Sequence, residues 1–214
     1  MPLRNSTFLS FRGFQEELTK AFIDQFHHGL SGEIETQLGR GAGPVFYAPE
    51  RLQAGDLFNE GIAHELCASA TMVMIYTPSY FDAAKTYCAR EYKGMVNLEA
   101  TRLRLLGAEQ RTHGLIIPVI FRGEAHLPPE IRDNRQCYNF QDFLLSHRTL
   151  NKHPKYAPIL RDLGEYIAGR YRALSALDPA TFNCNEYALP SADSIQPWLN
   201  TVVPVAQPLP GRAT

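Results

Sequence analysis

Apolar runs and amphipathic stretches alternate along most of the chain. The runs Ser6 to Phe11 and Thr71 to Tyr76 have the length of strands, and the second is apolar almost throughout. Runs of this kind are typical of strands that helices cover on both faces. After the first run, apolar side chains recur every fourth residue, as on one face of a helix: Phe14, Leu18, Phe22 and Phe26.

The same patterns predict the remaining elements. They are a short strand at Pro44 to Tyr47, a helix with Phe58, Ile62 and Leu66 inside, a helix at Tyr87 to Leu106, strands at Leu115 to Ile120 and around Gln136 to Phe140, and a closing helix at Pro154 to Leu174. Strands that alternate with helices predict an α/β, flavodoxin-like doubly wound sheet of about five mostly parallel strands. Pro118 has no N–H for a sheet ladder, so an edge or an interruption is expected there.

Two parts of the chain differ in character. Residues 1–174 are predicted to form one domain that the last helix closes. Residues 175–214 contain six prolines, too many for regular structure, and should form a proline-rich tail or partner-binding extension. The bulky side chains of Phe182, Tyr187 and Trp198 favour a strap along the domain or a surface for a partner over free solvent.

Composition narrows the function classes. The formal net charge is −1 and 20% of residues are charged, so nothing indicates direct binding to nucleic acid. No apolar run has the length of a signal peptide or a membrane span. The four cysteines are far apart and the histidines lack metal-ligand spacing, so a reducing cytoplasm and no metal are expected.

The rim of the predicted sheet carries the candidate chemistry. Ligands of such sheets bind beyond the carboxyl ends of the strands, which here lead into loops from Arg12, Ala48, Thr77 and Phe121. Glu91 opens the helix after the third loop, at the top of a largely apolar stripe. Such a carboxylate is a catalytic candidate, although an acidic residue near a helix start also simply favours the helix dipole.

Four segments, in order, resemble the Toll/interleukin-1 receptor (TIR) domains, particularly the bacterial and plant-type members that cleave NAD+. The resemblance covers roughly residues 6 to 145. Its segments are Phe8-Leu-Ser-Phe-Arg-Gly13, Val45 to Ile62, Ile75 to Tyr80 with Tyr87-Cys-Ala-Arg-Glu91, and Ile117 to Phe121. The chain departs from the family at Tyr87, where a tryptophan is usual, and after Gly13, where an acidic residue is often found.

The resemblance implies cleavage of the nicotinamide–ribose bond, with NAD+ as substrate and no cofactor. It implies that Glu91 is catalytic, that Arg12 meets the diphosphate or adenosine side, and that Tyr87 stacks on a ring. The residues expected to bind substrate are Ser10, Phe11, Arg12, Gly13, Tyr76, Ser79, Tyr80 and Tyr87.

The resemblance also implies self-association, a sensor or activating partner protein, and a role in antiphage defence. The expected contact surface is the loop after the second strand, with Ala48, Glu50, Leu52, Gly55 and Asp56. Two alternatives stay open: a non-catalytic TIR–TIR interaction module, and base exchange of the nucleoside deoxyribosyltransferase type. The Phe-Arg-Gly box argues against the second alternative.

Overall fold

The fold is an α/β sandwich around one parallel sheet. The computed structural model describes residues 2–12, 17–48, 58–143 and 150–202. Within these ranges five strands form a sheet in the order β2-β1-β3-β4-β5, and every pair is parallel. The strands are β1 Asn5–Phe11, β2 Val45–Phe46, β3 Ser69–Tyr76, β4 Ile116–Ile120 and β5 Tyr138–Asn139. This order is that of doubly wound, flavodoxin-like sheets, so the predicted fold class is confirmed.

Six α-helices lie in the described ranges. They are α1 Glu17–Leu38, α2 Phe58–Cys67, α3 Tyr87–Leu105, α4 Pro129–Arg132, α5 Tyr156–Ser175 and α6 Ala192–Val202. The predicted bounds of two long helices are confirmed to within two residues. These are Tyr87 to Leu106 for α3 and Pro154 to Leu174 for α5.

Side-chain alternation along the strands divides the core into two layers. Phe8, Met72 and Met74 belong to the cluster that also holds the inner faces of α2, α3 and α6. Leu9 and Val73 point the other way, into the cluster under α1 and α5. Because successive strand residues face opposite sides, strands covered on both faces tend to be apolar on both, as residues 72–76 of β3 are.

The proline in β4 lies where one side of that strand lacks a neighbour. Pro118 is in register with Met74 of β3, while the ladder between β4 and β5 pairs Val119 with Tyr138 and Ile120 with Asn139. The sheet therefore narrows next to Pro118, as the missing N–H donor led us to expect.

Within the described residues, the segment after α5 returns along the domain and leads into a helix. Ser191 accepts a hydrogen bond from the Ser194 N–H at 3.2 Å, which caps the start of α6. Ile195 and Leu199 of that helix are almost fully buried. The prediction that prolines exclude regular structure is therefore wrong for residues 192–202, because burial of an apolar face offsets the hydrogen bond that Pro197 cannot make.

The same segment is fastened to the domain, as a strap would be. A disulfide joins Cys67, at the end of α2, to Cys184, with their Cα atoms 5.4 Å apart. Trp198 stacks on Tyr92 with ring centroids 5.8 Å apart and donates to Glu130 at 2.8 Å. The spacing of the cysteines did not predict this pairing, and the disulfide counts against the reducing compartment expected from that spacing, since such bonds persist mainly in oxidising surroundings.

Candidate active site

Glu91 lies one turn into α3, facing the carboxyl end of β1. Its side chain is only 8% exposed, so the carboxylate is buried beneath the rim of the sheet. The Ser10 hydroxyl donates a hydrogen bond to Glu91 Oε2 at 2.5 Å. Ser10 shares a strand face with Phe8, which explains why it meets α3 rather than the opposite layer. Of the apolar stripe that Glu91 heads, Met95 is buried, whereas Leu105 at the far end of α3 is 43% exposed, so the stripe is buried only in its first part.

Burial changes the acidity of this carboxyl group. Loss of solvation raises the pKa of Glu91 from its ordinary 4.5 to about 7, while the hydrogen bond from Ser10 and the charge of Arg90 act to lower it. The carboxylate therefore gains or loses its proton near neutrality. A helix-dipole role alone would require no such burial, since that effect works at exposed helix starts.

Tyr80 extends the contact behind Ser10. The Tyr80 hydroxyl lies 2.5 Å from Ser10 Oγ, and both side chains are completely or almost completely buried. Burial raises the pKa of Tyr80 well above its usual range, so the phenol keeps its proton. Cys88, one turn before Tyr92, is also buried, and burial raises the pKa of its thiol, as expected of an inert packed cysteine rather than a nucleophile.

Arg12 lies on the same rim but is engaged within the protein. Its guanidinium forms a 2.9 Å ion pair with Asp82 and donates to the Ser79 carbonyl oxygen at 3.2 Å. The Ala84 N–H and then Arg12 lower the pKa of Asp82. An anionic ligand would therefore have to compete with Asp82 for Arg12, a partner that the sequence did not predict.

The aromatic candidates have different surroundings. Tyr87 is 46% exposed at the first position of α3, with the Arg90 guanidinium 5.8 Å from its ring centre. Phe11 is half-buried and its ring lies 5.6 Å from that of Tyr47. Tyr76 is buried and donates to the His126 carbonyl oxygen at 2.6 Å, away from Glu91. Of these three aromatic side chains, Tyr87 is the one most exposed to solvent.

The structure unites some of the predicted site residues and leaves others apart. Hydrogen bonds connect Ser10, Tyr80 and Glu91, and separately Arg12 with Ser79. Gly13 of the predicted binding set lies outside the described residues, as do Glu50, Leu52, Gly55 and Asp56 of the predicted contact loop. Ala48 alone of that loop set is described, half-buried against the core.

Three polar residues of this region were not among the predicted site residues. Asp82 neutralises Arg12, Arg90 donates to the Pro190 carbonyl oxygen at 2.7 Å, and the Thr77 hydroxyl lies 3.2 Å from that of Ser79. The rule that sites lie past the strand ends would have selected Thr77 and Asp82, since both follow β3. No local signal indicated that Arg90 would reach Pro190, in the segment after α5.

Comparisons with known proteins leave the family open: no protein-family model matches the sequence, and no curated protein matches it either. In the described part of the chain, no helix is both long and apolar enough to cross a membrane. The described residues include no group of three or more His, Cys, Asp or Glu side chains placed to hold a metal ion.

Proposed function

We propose that the protein is a TIR-type NAD+ glycohydrolase in which Glu91 stabilises the breaking of the nicotinamide–ribose bond. The observation that carries this proposal is a buried carboxylate at the strand-end rim, with a pKa of about 7 and a hydrogen bond from Ser10. Buried carboxyl groups with shifted pKa values cluster at functional sites. The resemblance of the rim segments to NAD-cleaving TIR domains supplies the substrate.

The reaction suits a single carboxylate. When the bond between C1 of the ribose and the nicotinamide nitrogen breaks, its electron pair neutralises the ring, so nicotinamide leaves without a proton. The ribose develops oxocarbenium character, and a nearby anion that accepts hydrogen bonds from its hydroxyls lowers the barrier. Water then attacks C1 and loses a proton, giving ADP-ribose, or a hydroxyl or ring nitrogen of the same molecule closes a cyclic product.

The burial of Glu91 favours this role energetically. The attraction between a carboxylate and a developing cation is stronger where water is excluded, because the effective dielectric constant is lower there. Burial also makes the ionised carboxylate of Glu91 unfavourable in the substrate-free protein. A positively charged ribose next to it would offset part of that desolvation cost. Tyr87 offers a ring for stacking, and Arg12 offers a guanidinium for the diphosphate once Asp82 is displaced.

Self-association is part of the proposal. The ion pair of Arg12 with Asp82 shows that a cation of this rim is satisfied from within the chain. A substrate would have to displace Asp82, and assembly through the loop from Ala48 to Asp56 would supply the energy. A sensor or activating protein and a role in antiphage defence follow from the same resemblance and are proposed with it.

The test compares matched glutamate variants. We expect native protein, concentrated with a crowding agent, to release nicotinamide from NAD+, and Glu91→Gln to lower the rate about 100- to 1000-fold, or about 3–4 kcal/mol of barrier. Glu165→Gln, at an exposed position of α5, should keep the native rate. Equal rates in all three proteins would remove Glu91 from the reaction.

The same internal contacts favour one second candidate, a TIR–TIR interaction module without turnover. If the Arg12–Asp82 ion pair persists in the assembled state, substrate cannot engage Arg12. Assembly by light scattering without nicotinamide release would favour this candidate. Base exchange would instead require a nucleoside and an acceptor base, and would be seen as transfer of deoxyribose between bases.

A further inference from the structure

Three buried groups form a hydrogen-bonded chain that ends on Glu91. The Tyr80 hydroxyl lies 2.5 Å from Ser10 Oγ, and Ser10 donates to Glu91 Oε2 at the same distance. They come from three places in the sequence: the end of β1, the turn after β3 and the first turns of α3. Such convergence requires the whole sheet and cannot arise from local structure alone.

When Glu91 is ionised, counting protons fixes the direction of the hydrogen-bonded chain. A serine hydroxyl has one proton, and Ser10 gives it to the carboxylate. The phenol must then be the donor in its contact with Ser10, which its raised pKa permits because the phenol stays protonated. Tyr80 therefore sets the rotation of the Ser10 hydroxyl, and that hydroxyl points at Oε2.

We propose that Ser10, oriented by Tyr80, is the positioning residue that holds the Glu91 carboxylate for reaction. This inference rests on the proposed role of Glu91. Ser10 occupies Oε2, and among the described residues no hydrogen bond reaches Oε1. Oε1 is therefore the oxygen that faces the ribose hydroxyls, and Ser10 does not itself touch substrate.

The same hydrogen bond sets the pH range of activity. The polar groups around Glu91 are Ser10 from β1, Tyr80 from the turn, and Cys88 and Arg90 from its own helix, while Arg12 acts on Cys88. Ser10 and Arg90 lower the pKa of Glu91 against the effect of burial. Removing the hydroxyl must therefore raise this pKa and move ionisation to higher pH.

The kinetic test uses the pH profile of kcat/KM for NAD+ cleavage. A hydrogen bond to a charged group favours its ionised form, so Ser10→Ala should move the acid limb up by about one pH unit or more. It should lower kcat about tenfold and change KM less than threefold. Tyr80→Phe should move the limb in the same direction by less, because Ser10 keeps its proton for the carboxylate.

Thr7→Val is the matched control. Thr7 lies three residues earlier on β1, is buried, and its hydroxyl has no hydrogen-bond partner among the described residues. Replacing it removes a buried hydroxyl from the same strand without touching Glu91. Its pH profile should match the native one, whereas a purely structural effect on β1 would move Thr7→Val and Ser10→Ala alike and overturn the inference.

A second readout is independent of NAD+ turnover. In protein labelled with ¹³C at glutamate carboxyl carbons, the Glu91 signal is the one missing from Glu91→Gln, and it should titrate near pH 7. Ser10→Ala should move that midpoint upward. A moved midpoint without any turnover would uphold the positioning role and defeat the proposed enzyme; an unmoved midpoint would overturn the positioning role even in an active enzyme. Tyr80→Phe serves the same titration if Ser10→Ala does not fold.

Discussion

At the scale of single residues, Glu91 is an expensive group to bury. A carboxyl whose pKa rises on folding binds a proton more tightly in the folded state, so stability falls as pH rises between the unfolded and folded pKa values. For Glu91 that window runs from 4.5 to about 7. Above it both states are ionised and the cost is constant. A residue kept at such a cost to folding is the kind expected in a functional site.

The stability of Glu91→Gln measures this cost. We expect the variant to be more stable than native protein by about 3 kcal/mol at pH 8, with the gain shrinking to about 1 kcal/mol at pH 5. Urea unfolding at the two pH values gives both numbers, and Glu165→Gln should show no gain at either. A variant that is less stable than native protein at pH 8 would show instead that the Glu91 carboxylate stabilises the folded state.

At the scale of elements, Glu99 joins α3 to the start of β4 through backbone N–H groups and to the loop before β5 through a buried ion pair with Arg135. Glu99 accepts hydrogen bonds from the Leu115 and Ile116 N–H groups, and Arg135 places two guanidinium nitrogens on its carboxylate at 3.0 and 2.6 Å. Both charged side chains are largely buried, so each depends on its partner for compensation. This contact fixes the helix that carries Glu91 against the sheet.

Arg135→Met should expose that dependence. It leaves the Glu99 charge buried without its cation, and we expect a loss of about 3 kcal/mol or more in the free energy of unfolding. Arg132→Ala removes an exposed ion pair with Asp133 and should change stability by less than about 0.5 kcal/mol. Similar losses in both variants, measured by thermal or urea unfolding, would contradict the assigned role.

Elements with a strong local pattern were predictable, and α6 was not. Periodicity alone was enough to predict α3 and α5 from their apolar stripes, and β1, β3 and β4 from their apolar runs. In α6 the proline signal pointed to irregular structure, yet Ile195 and Leu199 are buried and that burial overrides the local preference. Arg102 is a second case in which tertiary contacts override the local preference. It lies on the same face of α3 as Glu91, and it is buried because it donates to the Cys67 and Ser69 carbonyl oxygens.

At the scale of the whole molecule, contacts between distant segments were beyond prediction from one sequence. The rule that ligands bind beyond the carboxyl ends of the strands predicted that Arg12 and Glu91 lie at one edge of the sheet. The pairing of Arg12 with Asp82 depends instead on the turn geometry after β3. Likewise Cys184 meets Cys67 only because the segment after α5 returns across α3. Side-chain partners 70 to 117 residues apart leave no local signature.

The disulfide gives the whole chain a testable property. It spans 117 residues, so in the chain-entropy treatment it stabilises the folded state by about 4–5 kcal/mol, and Cys184→Ser should lose about that much. Cys137→Ser, at a half-buried free thiol, is the control. Unfolded native protein should show two reactive thiols without reductant and four with it; four in both conditions would mean that the bond does not form.

We propose that this chain breaks the nicotinamide–ribose bond of NAD+ with Glu91. The deciding experiment follows NAD+ by ¹H NMR with assembled native protein and with Glu91→Gln. We expect free nicotinamide signals to grow as NAD+ signals fall with native protein, and both to stay nearly constant with the variant. Intact NAD+ beside native protein whose assembly is verified in the same sample, or loss of NAD+ without free nicotinamide, would contradict it.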